Sequence, residues 1–169
     1  MRILGIDPGS RATGYGVVER EGASLRRVGG GVIRSEGGVT LAARLARIHA
    51  ELRRVIGEHR PDAAALEAVF SARNPRSALL LGQARGAALA ACGGAGLTAA
   101  EYSPSQVKQA VVGYGAADKR QVQLMVQRLL ALGAPCPSDE SDALAVAICH
   151  AHSRPWAASR RPAAGVEGP

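Results

Sequence analysis

At 169 residues the chain has the length of about one domain, which excludes two-lobed kinases, barrels and modular assemblies. Its 47% hydrophobic and 21% charged residues describe a folding chain rather than a disordered or fibrous one. With 21 basic against 14 acidic residues the formal charge is +7 and the pI about 10.2, a balance that favours polyanionic partners such as nucleic acid or an anionic membrane surface.

Residues 2–6 form a short apolar run, Pro8, Gly9 and Gly14 mark a turn, and residues 15–18 resume as a strand, which is a hairpin signal. A third strand is expected over residues 24–33, where Gly29, Gly30 and Gly31 predict a bulge or a close backbone approach. Leu41, Leu45, Ile48, Leu52, Val55 and Ile56 recur at the helical period, with arginines between them. Residues 63–70 read as a buried strand carrying one acid, Glu67, and residues 78–91 as a helix rich in small apolar residues. A brief last strand follows at 97–101. Ser103, Pro104 and Gln106 predict a helix start with a capping box, and Gly113 its end. Val122, Val126, Leu129 and Leu130 outline another helix, which Gly133 is expected to stop. Ser138 is expected to cap a final helix through Ala151.

This order predicts an α/β fold, a mixed five-stranded sheet flanked by helices, in one domain over residues 1–153. Residues 154–169 show no apolar period and are expected to form a disordered basic tail. The odd set of cysteines, Cys92, Cys136 and Cys149, lacks metal or disulfide spacing and suits free thiols in a reducing cytoplasm. No signal peptide or spanning helix is apparent, so a cytoplasmic chain without membrane attachment is expected.

The chain has five aspartates, and Asp7, Asp139 and Asp142 occupy informative places. Asp7 stands at the end of the first strand, where it either opens a turn or faces a ligand beyond the carboxyl ends of the strands. Asp139 and Glu140 suit the first turn of a helix by charge alone, but Asp142, three residues on, shares the face of Asp139. Glu67, in an alanine-rich strand, is hardest to explain as a bystander, since an unpaired buried carboxylate costs several kcal/mol. Divalent cations compensate all four: hard oxygen ligands and no zinc-type Cys/His cluster point to magnesium, with manganese as substitute. Two such ions about 4 Å apart would activate water and stabilise the leaving oxygen of a phosphodiester. That predicts a nuclease. All basic residues but Lys108 and Lys119 are arginine, and these two lysines are candidates to offset charge on the scissile phosphate. Glu140 is expected to be solvated or to tune metal affinity, and His150 to be structural or on the surface.

Five blocks in order, ILGIDPGSRATGYGVV (3–18), LEAVFSARN (66–74), SALLLGQARG (77–86), QVKQAVVGYGAADKRQVQ (106–123) and SDESDALAVAICH (138–150), closely resemble the RuvC family of Holliday-junction resolvases. The resemblance implies a ribonuclease-H-like fold, a homodimer and magnesium-dependent paired nicking of four-way DNA junctions in homologous recombination and repair. It also implies partnership with the RuvA–RuvB branch-migration complex. By motif, Asp7, Glu67, Asp139 and Asp142 are the catalytic, metal-holding carboxylates, Lys108 and Lys119 lie near the DNA, and Phe70 matches an aromatic that stacks on a junction base. Arg73, Arg76 and Arg85 are expected to bind backbone phosphates, among a wider set of arginines. Where some family members carry a basic residue this chain has Leu80. The small-residue helix 78–91 is expected either to form the isologous interface of the dimer or to pack in the core. Rival readings are an ATPase or sugar kinase of the actin type, which needs two lobes, a junction-binding protein without catalysis, and a related ribonuclease H or RuvX-type nuclease.

Overall fold

A computed structural model describes residues 1–9, 11–35, 37–68 and 74–153. Strands β1 (Arg2–Pro8), β2 (Ala12–Glu21) and β3 (Ser24–Arg34) form an antiparallel meander. Helix α1 (Leu41–His59) then crosses to β4 (Ala63–Glu67), which pairs with β1 in parallel, and α2 (Pro75–Gly93) leads to β5 (Ala99–Tyr102), parallel to β4. The sheet order is β3-β2-β1-β4-β5, and α3 (Pro104–Val112), α4 (Lys119–Leu129) and α5 (Ser138–Ser153) complete the chain. This is the mixed five-stranded α/β arrangement expected from the sequence.

The period-two alternation of the strands divides the core in two. Leu4, Ile6, Val17, Ala64 and Leu66 face one side and pack with α1 and α2 through Ile48, Leu52, Val55, Ala84, Ala88 and Cys92. Ile3, Val18 and Ala65 face the other, against α5 and, beyond it, Val107 and Val111 of α3 and Val122 and Val126 of α4. Helix α5 is therefore enclosed, and every residue from Ala143 to Ala151 is buried. From Ala143 to Ala151 its sequence is apolar on every side apart from His150, which is what a central helix requires. No helix among the described residues is long and apolar enough to cross a membrane.

Several boundaries differ from the sequence expectation for local reasons. Helix α4 ends at Leu129, not near Gly133: Ala131 takes a left-handed conformation, φ 48°, and the Leu132 N–H donates back to the Gln127 carbonyl at 2.9 Å, closing the last turn. Asp118 starts α4 with a capping box, its carboxylate accepting from the Gln121 N–H at 2.9 Å. Ser138 lies inside the first turn of α5, where its hydroxyl accepts from the Gln123 side-chain amide at 3.0 Å rather than capping the helix. The capping box of Ser103 and Gln106 and the Gly113 stop of α3, at φ 95°, are as expected. The glycine run of β3 carries both anticipated features, an extra residue between Arg27 and Gly29 and a close approach at Gly30.

Candidate active site

Asp7 is part of the β1 series Ile3, Gly5, Asp7, whose members face α5; Glu67 follows Ala65 on the same face of β4. Because Ile6 registers with Leu66 in the parallel ladder, Asp7 and Glu67 sit at the neighbouring ends of adjacent strands. Glycines bring α5 down onto them. A Cβ at Gly5 would overlap the Ala143 carbonyl, and one at Gly14, the partner of Asp7 on β2, would overlap the carbonyl of Asp139. Gly16 gives room to Leu144 in the same way. The first two turns of α5 thus lie on bare backbone, with Asp139 and Asp142 beside Asp7.

The electrostatics register this gathering. The carboxyl of Asp7 is pushed up to about 7, chiefly by burial and then by the charges of Glu67, Asp142 and Asp139, with Lys119 opposing. Glu67 is raised by burial first and by Asp142, against the pull of Lys119 and Lys108. Lys119, the first residue of α4, places Nζ 2.7 Å from Asp142 Oδ2, and that hydrogen bond holds its ammonium charged above the ordinary lysine range. On the other flank Arg34, at the end of β3, stands 3.7 Å from Asp139. Asp139 and Asp142 of α5 are therefore both drawn to basic side chains from other elements. Among the described residues, no group of three or more Asp, Glu, His or Cys stands close enough, as the side chains lie, to hold a metal ion. The donor set still fits a hard divalent cation: it is all carboxylate oxygen, and its strained ionisation is what such a charge relieves.

Glu140 departs from expectation. It is 4% exposed, and its Oε1 accepts from Arg27 Nε at 2.7 Å while lying over Gly30, so it ties α5 to β3 and is neither solvated nor turned to the other acids. His150 is structural: buried, with Nδ1 2.8 Å from the Tyr102 hydroxyl and the two rings edge to face. Cys92 and Cys149 are buried, Cys136 partly so, and all three are free. Burial pushes the Cys92 thiol up to about 11, which suits an inert core residue.

Of the expected DNA contacts, Phe70 and Arg73 lie outside the described residues. Lys108, on α3, is near enough to lower the carboxyl of Glu67. Arg76 is exposed in the first turn of α2, whereas Arg85 is ion-paired with Glu101 of β5. Arg27 and Arg34 were not singled out by sequence, since each finds its acid more than a hundred positions away and no local signal marks the pair.

A family model described as "Crossover junction endodeoxyribonuclease RuvC" matches residues 3–150. The RuvC of Geobacter sulfurreducens is 58% identical over 153 residues, 90% of this chain and 93% of its own. That of Acinetobacter baumannii is 57% identical over 151 residues, 89% of this chain and 83% of its own. Among solved structures, Thermus thermophilus RuvC in complex with a Holliday junction substrate superposes with a TM-score of 0.86 at 41% identity, covering 90% of this chain and 94% of that one. The yeast mitochondrial Holliday junction resolvase Ydc2 shares the fold, with a TM-score of 0.63 at 14% identity over 89% of this chain and 77% of that one. The sheet and its helices are those of these ribonuclease-H-like resolvases, and the chain belongs to the RuvC family of crossover junction endodeoxyribonucleases.

Proposed function

We propose that this protein resolves four-way DNA junctions, nicking two strands of like polarity by phosphodiester hydrolysis in recombination and repair. The observation that carries the reading is the meeting of Asp7 and Glu67 with the α5 pair Asp139 and Asp142, where burial first and then the charges of the other three acids push the Asp7 carboxyl up to about 7.

In this reading the four acids are the catalytic, metal-holding residues. Two magnesium ions, replaceable by manganese, supply when bound an activated water and a Lewis acid for the leaving oxygen. Asp7 must give up its proton to serve as a ligand; burial, Glu67 and the α5 acids oppose that loss, and positive charge close by favours it. Lys119 and Lys108, both near enough to act on Glu67, are the residues to draw a backbone phosphate in and to offset its charge in the transition state. Phe70 stacks on a base at the junction, and Arg73 and Arg76 hold flanking phosphates, with Arg85 joining them if it leaves Glu101.

Two cuts in a two-fold substrate call for two sites, so the acting unit is a homodimer. The second half of α2 is core, with Ala84, Ala88, Ala91 and Cys92 buried against α1, which leaves the first half for the partner: Leu79 there is 63% exposed. Residues 1–153 are read as the whole nuclease domain, residues 154–169 as its tail, and a RuvA–RuvB motor as the further partner.

The test incubates the protein with labelled synthetic four-way junctions and with linear duplex of matching sequence, with and without magnesium. Paired, magnesium-dependent nicks in the junction alone are expected. Equal cutting of duplex and junction would rule out a structure-selective resolvase.

A further inference from the structure

We infer that Tyr114 is a base-stacking platform for the DNA strand beside the cut, a positioning residue additional to Phe70; this rests on the junction-resolving function proposed above. The chain has five aromatic residues, and the described ones divide by role. Tyr15 covers Gly31 and Tyr102 bonds to His150, both within the fold. Tyr114 is 44% exposed.

It sits in the loop between α3 and α4, which joins Lys108 to Lys119, the two lysines that face the acid cluster. The loop is pinned on both sides of it. Gly113 closes α3 in a left-handed conformation at φ 95°, and its carbonyl accepts from the Gln109 side-chain amide at 2.6 Å. Gly115 lies so close to Ser105 that a Cβ would collide with the hydroxyl, Ala117 is fully buried, and Asp118 caps α4. A ring with two free torsions is thus presented to solvent from a fixed base. Such a ring orders at little entropic cost.

Tyr114 and Lys119 are five positions apart, at most ~18 Å of extended chain, or about five steps at the ~3.4 Å rise of a DNA strand. The ligand whose chemistry suits an exposed aromatic between two cations is a nucleobase attached to an anionic backbone.

The test uses the full chain in EDTA, so that the junction stays intact, and compares wild type with Tyr114→Ala and Tyr114→Phe. Junction dissociation constants are measured alongside the emission of 2-aminopurine placed singly within five nucleotides of the cut. Expected are about a tenfold loss of junction affinity for the alanine variant, a change within twofold for phenylalanine, and an emission change at one or two positions that alanine alone abolishes. Melting temperatures of both variants should stay near wild type, because Tyr114 lies outside both core clusters. Alanine binding within twofold with unchanged emission overturns the inference, as does a phenylalanine variant as weak as alanine or a large loss of melting temperature in the alanine variant. A wild-type chain with no junction affinity sinks the proposed function itself, and this inference with it.

Discussion

An aspartate that ionises near 3.8 in an unfolded chain and near 7 in the folded one favours folding while protonated and opposes it once charged. The sign fixes a pH window. Below about pH 4 Asp7 is neutral in both states and costs nothing; between pH 4 and 7 the folded chain keeps its proton and the unfolded chain loses it, so stability falls; above pH 7 the whole penalty is present. A shift of this size corresponds to about 4 kcal/mol. Asp7→Asn keeps the shape and removes the charge. In EDTA at pH 8 it should melt above wild type by an amount worth about 2–4 kcal/mol, with the two curves converging below pH 4.5. Thermal unfolding across that range checks it, and equal stability at pH 8 contradicts the burial argument. Metal affinity should move the opposite way, falling for wild type as pH drops through 7, because a proton then competes for the Asp7 carboxylate.

At the scale of elements, the site depends on how low α5 lies on β1 and β2. Gly14 has no room for a side chain beneath Asp139, so Gly14→Ala must lift or tilt the first turn of the helix. Overpacking of this kind costs about 1–3 kcal/mol, and the displaced Asp139 should reduce cleavage more than tenfold while the far end of α5 keeps its packing. Denaturant unfolding and single-turnover cleavage, measured on the same preparation, separate the two effects; a variant with full cleavage contradicts the close-approach account. The strands, most helices and the capping box of Ser103 were legible because their signals are local: alternation, the 3.6 period and cap spacing. Among the acids, Glu67 stood out as a charge in an apolar strand and Asp142 as sharing a helix face with Asp139, whereas Asp7 and Asp139 also suit an ordinary turn and helix start. The Asp118–Gln121 box carries the same local spacing as the Ser103 one. The Arg27–Glu140 pair was illegible, since Glu140 reads like any acid in a helix's first turn and only the bulged glycine run of β3 brings Arg27 to it. The glycines announced a close approach without saying what approaches.

Over the whole molecule, the count of 21 basic residues overstates the cations available to DNA. Arg2 and Arg26 share Glu19, Arg54 lies between Glu51 and Glu58, and Arg27 and Arg85 have their own acids. Phosphate binding should therefore fall to exposed cations without an acidic partner, and the salt dependence of junction affinity reads their number. Arg76→Ala should reduce the slope of log affinity against log salt by about 1, while Arg54→Ala, in a pair already neutralised on α1, should leave it unchanged. Equal effects of the two would mean a diffuse attraction rather than a defined path. The fold itself serves one arrangement, in which two strand ends and one sunken helix bring acids from positions 7, 67, 139 and 142 together. The most direct measurement is cleavage of a labelled four-way junction in magnesium by the four single variants Asp7→Asn, Glu67→Gln, Asp139→Asn and Asp142→Asn, with junction binding followed in parallel. Each variant should lose cleavage by at least about a thousandfold, as removal of a member of one catalytic unit does, while binding stays within a few fold of wild type. A single variant that still cuts near the wild-type rate would contradict a centre built from all four.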